Sequence, residues 1–509
     1  MQRRTLLRAG AGAVAASTLS RAVAARGTTA YEPSGELQID GAAEVVLGDD
    51  GSTAYVAAST GFATVDVTDP TDPTLLAEER PIQTSGGSAA REILDIKVDG
   101  DRLLVPTAAQ GGGPLGFFLY DISAPTDPTQ IGDFFDTPHG NHNSFIEDDV
   151  VYLTGNTQRA AYLSMIDVSG DEFEQLGRWS PSQDLDAGWS EVLGKVLHDM
   201  YVQDGIAYCA YWDAGTFLVD VSDPANPEFL VRIGDYQFQE LREWSRSRAS
   251  TDYTEPRGNS HYVAVNDDAS VLGVGRETWD SQTDDDHGGP GGISLYDISD
   301  PTDPTHLSSI EPPMPTDGDT TQAGTWTTSH NFQFVGDRLY TSWYQGGVKV
   351  FDIADPTSPE QLSWWRDPSY AFWTAVTTPD IDFYAATSYS SVPGAENDAL
   401  VLFPDEAGEQ SSAPSSLVDA DPLVRAENEF SVDLPGAFDG SDDGTTTQPP
   451  TATPEPTATP ESTPSSEPTA TPMSTESGDD GGSPGFGAVT ALAGLGLGAA
   501  RFLRSDDGK

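Results

Sequence analysis

The sequence has very little cysteine and very little basic charge. Cys209 is the single cysteine among 509 residues, so no disulfide can form within the chain and no zinc site can be built from cysteine pairs. Because Cys209 lies in an apolar strand, we expect a packed thiol rather than a reactive one. Lysine and arginine number 25 against 81 aspartates and glutamates, which gives a net charge of −56. Such an acidic surface repels nucleic acid and excludes it as a partner.

The acidic residues are spread through the loops rather than collected in one tail. This distribution resembles that of proteins from extreme halophiles, in which carboxylates keep the surface hydrated in concentrated salt. Acidic clusters therefore have little value here as indicators of a functional site.

One sequence motif, called the proline phrase below, recurs along the chain. It begins with aspartate, an apolar residue and one of Ser, Thr or Ala. Any one residue, a proline, any two residues and a second proline follow. Its five copies are Asp66–Pro73, Asp121–Pro128, Asp220–Pro227, Asp297–Pro304 and Asp352–Pro359, and a degraded sixth copy starts at Asp167. Each copy follows a short apolar run. A spacing of roughly 45–55 residues is typical of a repeat architecture.

The cleanest repeat, residues 197–234, contains four short alternating segments separated by turns. Four strands without helical periodicity predict one blade of an all-β propeller, and the two prolines suit the entry to an outer edge strand. Seven such units begin near residues 43, 92, 141, 197, 260, 329 and 372. The seventh has three evident strands, and Gly35–Ile39 can supply its fourth and close the ring. Six or eight blades remain alternatives, within a propeller spanning residues 34–406.

The run from a tyrosine through a glycine to the Asp-Val-Ser-Asp-Pro phrase resembles the LVIVD repeat. The segments that carry this resemblance best are Tyr55–Pro73, Tyr208–Pro227 and Tyr340–Pro359. The resemblance implies a propeller of a kind found in secreted bacterial and archaeal proteins. It implies no particular activity, because propellers host many functions.

The N-terminus, residues 1–24, resembles a twin-arginine export signal. Arg3 and Arg4 precede Leu6 and Leu7, a weakly apolar region follows, and Ala22–Ala24 forms an Ala-x-Ala cleavage site. This signal implies that the protein folds first and is then exported by the twin-arginine translocase.

The C-terminal region divides into three predicted segments. Residues 407–444 form an acidic, irregular linker, and residues 445–482 form a stalk rich in Thr, Pro and Ser. The stalk composition predicts disorder and fits O-glycosylation. Residues 483–509 resemble the PGF-type sorting signal of archaea, with Pro484-Gly485-Phe486 before a short apolar run. That resemblance implies cleavage by an archaeosortase and attachment to a membrane lipid; a plain transmembrane anchor is the alternative.

Four of the seven histidines share one position in the repeat. His142, His198, His261 and His330 each lie ten residues before the same second-strand position. We therefore expect each at the start of an innermost strand, facing one mouth of the central channel. The equivalent positions in blades two and seven are Leu94 and Thr374, and blade one offers Glu44 or Val45.

Two interpretations of these histidines remain open. In the first they are structural and bonded within their own blades; in the second they form a site for a transition metal such as Zn, Cu or Fe. Glu277 and Arg257 are the candidate catalytic residues beside them. Further polar neighbours expected near the mouth are Asn143, Asp199, Asn331, His139, Asn259, Trp279, His287, Arg159 and Asp213.

These observations support two hypotheses about function. The first is a binding module anchored at the cell surface, with envelope components or other surface proteins as partners. The second is an extracellular metal-dependent enzyme, a hydrolase or an oxidoreductase, that uses the histidine mouth. The two differ in whether loss of the histidines abolishes an activity or only lowers stability.

Overall fold

The computed structural model describes residues 30–157, 160–280, 288–419, 430–435 and 437–438. These residues form an all-β propeller of seven blades, each an antiparallel sheet with four strands at its centre. The predicted fold class and the preferred blade count are both confirmed.

Blades one to four follow one another along the chain, and each is described from its inner to its outer strand. Blade one consists of Ala42–Leu47, Thr53–Ala58, Phe62–Asp66 and Thr74–Glu79. Blade two consists of Lys97–Asp99, Arg102–Thr107, Gly116–Asp121 and Thr129–Asp136. Blade three consists of Ser144–Glu147, Val150–Asn156, Ala161–Asp167 and Glu174–Trp179. Blade four consists of Asp199–Gln203, Ile206–Ala210, Thr216–Asp220 and Glu228–Gly234.

The remaining blades complete the ring. Blade five consists of Ser260–Val265, Val271–Arg276, Ile293–Asp297 and Thr305–Ile310. Blade six consists of Phe332–Val335, Arg338–Ser342, Val348–Asp352 and Glu360–Trp365. Blade seven consists of Phe372–Val376, Phe383–Ser388, Ala399–Pro404 and the early strand Gly35–Gln38.

The early strand closes the propeller in the predicted way. Gly35 to Gln38 pair antiparallel with residues 399–402, so the last blade is built from both ends of the repeat region. Closure gives the outer edge of blade seven a partner and removes a strand edge that would otherwise be exposed.

The long connections between blades lie on one face of the propeller. Helices Pro181–Asp184 and the 3-10 helix Ala187–Glu191 join blade three to blade four, and helices Phe238–Arg242 and Arg246–Asp252 join blade four to blade five. Residues 311–331 join blade five to blade six and contain the short strand Pro313–Pro315. The inner strands of neighbouring blades contact one another around the channel on which this face opens.

The recurring proline phrase is a corner between the third and fourth strands. In blade four, the Asp220 carboxylate accepts hydrogen bonds from the Ser222 backbone nitrogen at 3.0 Å and its hydroxyl at 2.6 Å. The intervening Val221 is buried, and its backbone nitrogen donates to Gly205 in the turn between the first two strands. Aspartate thus bends the chain locally, while the apolar residue closes the end of the sheet.

The corner also joins each blade to its neighbour. The Thr64 hydroxyl of blade one donates to the Pro125 carbonyl in the corner of blade two at 2.6 Å. Gly177 of blade three lies so close to the Pro224 carbonyl of blade four that a Cβ there would be 2.1 Å from the oxygen. The repeated phrase is therefore part of the seam between blades.

Part of the segment predicted as an irregular linker, residues 407–444, packs onto the propeller. Gly408–Glu409 pairs with the outer strand of blade six, Leu417–Asp419 pairs with Pro313–Pro315, and Ser431–Asp433 extends blade four. The fully buried Arg232 guanidinium bonds Ser431 and Asp433, and the Phe438 ring packs in the same core. Apolar and ionic contacts made after the repeats explain why this part is ordered.

Cys209 is buried in blade four, and burial raises the pKa of its thiol, as expected for a packed side chain. Among the residues that the structure describes, no helix is long and apolar enough to cross a membrane. The predicted export signal, stalk and sorting signal all lie outside the described residues.

Candidate site at the channel mouth

The four histidines of the shared register lie where the chain enters the inner strands of blades three to six. His198 directly precedes the strand Asp199–Gln203, and its backbone nitrogen donates to Ala210 at 2.9 Å. The backbone nitrogen of His330 donates to Ser342 at 3.0 Å in the corresponding way. Backbone pairing with the end of the second strand therefore places these imidazoles at the mouth of the channel.

Backbone bridges between blades fix the same positions. Trp212 (φ 43°) and Tyr344 (φ 47°) adopt the left-handed conformation just after the second strands of blades four and six. Trp212 exchanges two backbone hydrogen bonds of 3.0 Å with Ser260, which directly precedes His261. Tyr344 makes the equivalent pair with Phe372 of blade seven, at 3.0 and 3.1 Å. The inner strands of blades five and seven are thus anchored to the preceding blades at the level of the histidines.

The four imidazoles form a continuous arc. Ring centroids are separated by 4.1 Å between His142 and His198, by 3.8 Å between His198 and His261, and by 5.1 Å between His261 and His330. The indole of Trp373, 4.2 Å from the His330 ring, continues the arc into blade seven. The structure therefore brings together the histidines that the sequence places in one register.

Hydrogen bonds to carbonyl oxygens define which ring nitrogen carries the proton. His198 Nδ1 donates to the backbone carbonyl of His261 at 3.1 Å, and His330 Nδ1 donates to that of Trp373 at 2.6 Å. A carbonyl can only accept, so Nε2 of each ring keeps its lone pair when the ring is neutral. Burial lowers the pKa of His142 to about 4 and lowers the pKa of His198 and His330 well below the usual range, with repulsion from His261 adding to the effect. These three imidazoles are neutral at pH 7.

His261 differs from the other three because a carboxylate faces it. Its Nδ1 lies 3.2 Å from Glu277 Oε2, but neither ring nitrogen of His261 has a hydrogen bond with acceptable geometry. Glu277 follows the second strand of blade five directly and is only 3% exposed. The Tyr344 hydroxyl donates to Glu277 Oε1, and Asn259 Nδ2 donates to its backbone carbonyl at 2.6 Å. The carboxylate is therefore held in place from blade six and from the connection between blades four and five.

His261, Glu277 and His330 form a compact group of potential metal ligands. One ligand atom from each residue lies within 4.8 Å of the other two, and all three side chains are buried. Among the residues that the structure describes, no other group of three or more such side chains has its ligand atoms this close together. His142 and His198 belong to the arc but not to this group.

A layer of buried polar side chains lies beside the histidines and completes the mouth. The histidine position is held by Ala43 in blade one and Trp373 in blade seven, so the predicted Glu44 or Val45 and Thr374 were wrong by one or two positions. The residues that follow this position are Glu44, Asp95, Asn143, Asp199 and Asn331. Asn331 Nδ2 donates to Glu44 Oε2 at 2.6 Å, Ser144 donates to Asp95 at 2.6 Å, and Asn143 donates to Asp199. Side chains from five different blades are thus connected in one polar layer.

Lys97 is the cation of this layer. Its ammonium contacts Asp95 and lies 3.6 Å from Glu44 Oε1. Burial lowers the pKa of Lys97, but attraction to Asp95 and Glu44 outweighs that effect and the pKa is raised. Burial raises the pKa of Glu44 to about 7 despite Lys97, and it raises the pKa of Asp199 well above the usual range. One ammonium does not balance three carboxyl groups, so part of the layer is protonated near neutral pH.

Three of the four imidazoles of the arc and the polar layer line one cavity, and His261 lies outside its lining. Its walls include His142, His198, His330, Leu94 and Trp373 together with the five polar residues. The space inside it that a water-sized sphere can occupy is about 10 Å³. One water needs roughly 10–15 Å³ measured in this way. The cavity therefore has room for about one water or one ion but not for a substrate of ordinary size.

The other residues predicted near the mouth have separate roles. The Arg257 guanidinium is exposed, donates to the Asp235 carbonyl and lies over the Tyr236 ring at 5.2 Å. It therefore faces blade four rather than taking the place predicted beside the histidines.

His139 packs against Tyr162 of blade three, and Trp279 packs against Trp326. The backbone of Asn259 donates to the buried Asp213 carboxylate at 3.2 Å. Arg159 and His287 lie outside the described residues.

Sequence analysis missed Asp95, Lys97 and Tyr344. Asp95 lies one position after Leu94, as Asn143, Asp199 and Asn331 follow their histidines, so the register could have revealed it. Tyr344 occupies the turn position that Trp212 occupies in blade four, which is a repeated aromatic signal. No spacing rule points to Lys97, whose role depends on Glu44 of blade one and Asp95 of blade two.

Comparisons with known proteins support the repeat assignment. The LVIVD repeat matches residues 50–78 and 197–234. No curated protein matches the chain in sequence. Among solved structures, the Cps50 (Swd1) β-propeller domain of Myceliophteria thermophila is 8% identical, with a TM-score of 0.49, 74% of this chain covered and 99% of that chain. A chain of the Mitotic Checkpoint Complex is 12% identical, with a TM-score of 0.46, 78% of this chain covered and 98% of that chain. The chain is therefore a seven-bladed β-propeller that carries LVIVD repeats.

Proposed function

We propose that the protein is a binding module held on the outer face of the cell membrane. The repeats and the propeller fold favour a protein-interaction module. The twin-arginine signature, the Thr/Pro/Ser-rich segment and the PGF-type signature in the sequence favour export, a stalk and attachment to a membrane lipid. Acidic components of the cell envelope, either polymers or surface proteins, are the partners that this module binds.

A group of arginines on the mouth face carries the proposal of an acidic partner. Four of the 25 basic residues of the chain, Arg242, Arg246, Arg248 and Arg257, fall in the connection between blades four and five. The last three are exposed, in a protein whose net charge is −56. Arg248 bonds Glu240 at 3.1 Å and Asp252 at 2.8 Å, so an acidic partner would compete with these carboxylates for its guanidinium. Arginine suits such recognition because it binds planar anions through paired hydrogen bonds.

The small channel supports binding at the surface rather than inside the propeller. A cavity with about 10 Å³ of space for a water-sized sphere leaves the loops of the mouth face as the area available to a macromolecular partner. The same connection is held rigidly, since Arg242 bonds Glu191 at 2.8 Å and Tyr236 donates to the Arg257 carbonyl at 3.0 Å. A preorganised surface loses less conformational entropy on binding.

The binding test compares charge variants on intact envelope material. The variant Arg246→Gln, Arg248→Gln and Arg257→Gln should retain at most about one tenth of the wild-type binding to isolated envelopes, because charged contacts at an interface contribute on the order of 1 kcal/mol each. The control Arg102→Gln removes an arginine between blades two and three, and we expect unchanged binding. Equal binding by the triple variant and wild type would reject the mouth face as the binding surface.

The location has its own test. Mass spectrometry of protein from membranes should find an N-terminus after residue 24 and a C-terminus near Pro484. The variant Arg3→Lys with Arg4→Lys should accumulate inside the cell with its N-terminal segment intact. Full-length protein in the cytosol of wild-type cells would contradict the proposed display without affecting the binding test.

A metal-dependent enzyme is the second candidate, favoured by the buried His261–Glu277 pair. The double variant His198→Ala and His330→Ala separates the two functions. Loss of a hydrolytic or redox activity with unchanged melting supports the enzyme. Lower stability with retained envelope binding supports the binding module.

A further inference from the structure

We propose that His261, Glu277 and His330 form a binding site for one divalent transition metal ion, and that the ion is Zn²⁺. The site is independent of where the protein is displayed and of what its mouth face binds. The proposed site differs from one made by the four histidines of the shared register. Glu277 is a ligand in it, and His142 and His198 are not.

The spacing of the ligand atoms fits one ion. Zinc binds histidine nitrogen and carboxylate oxygen at about 2.0–2.2 Å, so two tetrahedral ligands lie roughly 3.4 Å apart and two opposite ligands about 4.2 Å apart. The observed separation of 3.2 Å between His261 Nδ1 and Glu277 Oε2 already matches a tetrahedral pair. The separations in the group are all within 4.8 Å. Tetrahedral binding therefore requires the most distant pair to approach by up to about 1.4 Å, through rotation of a side chain.

The imidazole of His261 lacks the hydrogen bonds that its burial demands. Both ring nitrogens are buried without a hydrogen-bond partner, and the residue is 2% exposed. A buried polar atom left without a partner costs about 1–3 kcal/mol. A metal ion bound to one of these nitrogens would remove the penalty of that nitrogen, whereas a purely structural histidine would be expected to bond a carbonyl as His198 and His330 do.

Outer contacts orient the other two ligands. His330 Nδ1 donates to the Trp373 carbonyl, which leaves the lone pair of Nε2 free for a metal. Tyr344 donates to Glu277 Oε1 and leaves Oε2 directed toward His261. A hydrogen bond to the second atom of each ligand is the usual way in which proteins fix metal ligands.

The donor set and its surroundings select the class of metal. Two imidazoles and one carboxylate suit zinc and similar ions, whereas Ca²⁺ and Mg²⁺ prefer oxygen ligands alone. Neutral His198 lies against His261, with ring centroids 3.8 Å apart. The Glu277 carboxylate offsets part of the positive charge that a bound ion would bring into a buried site.

The test measures zinc binding by the full-length chain after removal of metal with a chelator. Calorimetric titration in about 1 M salt, where the screening length is about 3 Å, suppresses weak binding by surface carboxylates. We expect one strong site per chain. His261→Gln and Glu277→Gln should each weaken it by at least about 100-fold, more than the roughly 10–100-fold loss expected for the outer-shell variant Tyr344→Phe.

His306→Gln is the matched control. His306 lies on the outer strand of blade five, whereas the mouth is at the inner strands. It bonds Ser309 at 3.1 Å. This variant should bind zinc as wild type does. Absence of a stoichiometric site in wild type, or equal affinity of wild type and Glu277→Gln, would overturn the proposal. If a ligand variant unfolds, Tyr344→Phe decides alone, since unchanged zinc affinity in that folded variant would also overturn it.

Discussion

The outer corners and the channel mouth are the two ends of the same repeat, yet they use polar residues differently. At the corners, Asp66, Asp220 and Asp352 each accept a hydrogen bond from the backbone nitrogen two residues later, at 2.9–3.0 Å. At the mouth, equivalent positions hold different residues, such as Glu44 in blade one and Asp199 in blade four. Chemistry repeated in six of the seven blades indicates a structural role, whereas chemistry that changes from blade to blade indicates a specific site.

The difference extends to exposure. Corner carboxylates are in solvent, and hydrogen bonds from Thr68 and Ser123 lower the pKa of Asp66 and Asp121. Mouth carboxyls are buried, and burial raises the pKa of Glu44 and Asp199. The same side-chain type is therefore ionised at the rim and partly protonated in the channel, because solvation dominates its behaviour.

The largest expected effect comes from removing the cation of the polar layer. Lys97→Met should lower the free energy of unfolding by about 3–5 kcal/mol, since it leaves Asp95 and Glu44 buried without their partner. Arg102→Met, which breaks pairs with the more exposed Asp99 and Asp149, should cost less than about 1 kcal/mol. Chemical denaturation measures both. Equal losses of stability would show that the buried carboxylates need their cation no more than the exposed carboxylates do.

The next effect tests the corner as a seam between blades. Gly177→Ala should destabilise the protein by about 1–3 kcal/mol, because the new Cβ would lie 2.1 Å from the Pro224 carbonyl of blade four. Gly170→Ala is the control, since a Cβ there has no heavy atom within 4 Å. Thermal unfolding compares the two variants. A Gly177 variant as stable as the control would show that the blades separate easily at this seam.

The pH dependence of stability distinguishes buried from exposed carboxyls. The folded pKa of Glu44, about 7, lies above the ordinary value of 4.5, so its favourable contribution is complete below about pH 4.5 and is lost as pH rises through 7. Relative to wild type, Glu44→Gln should gain up to about 1.4 kcal/mol per pH unit between pH 5 and 7. Denaturation of both proteins across this range measures the slope. A constant difference would mean that Glu44 titrates as if it were exposed.

The smallest effect is expected at a single corner. Asp220→Ala removes the hydrogen bonds to Ser222 and should cost less than about 1 kcal/mol. Asp66→Ala in blade one should cost the same within error, because Thr68 makes the same bonds there. Clearly different losses in the two blades would contradict the interchangeable role of the corners.

Sequence periodicity predicted most of the fold. The spacing of the proline phrase located every blade except the last, and the apolar run before Asp40 supplied the closing strand because an unpaired edge in blade seven required one. The segment after residue 406 was less predictable. Ser431–Asp433 joins blade four through Arg232, about 200 positions earlier, and nothing in a local pattern reports such a pairing.

The candidate site was only partly predictable. The shared position of the four histidines in the repeat was enough to predict that they lie together, because equivalent positions in neighbouring blades adjoin in a closed ring. Register could not show that Glu277 would turn back toward His261, because it lies beyond the end of a strand at the start of a long connection. The orientation of that carboxylate depends on Tyr344 from another blade, so it is a property of the assembled propeller.

Anomalous diffraction at the zinc edge, from crystals of the metal-free protein exposed to one equivalent of Zn²⁺, tests most directly that the channel mouth is a specific site. The strongest peak should lie about 2.0–2.2 Å from ligand atoms of His261, Glu277 and His330. A strongest peak on the corner carboxylates, with none at these three side chains, would contradict the assignment.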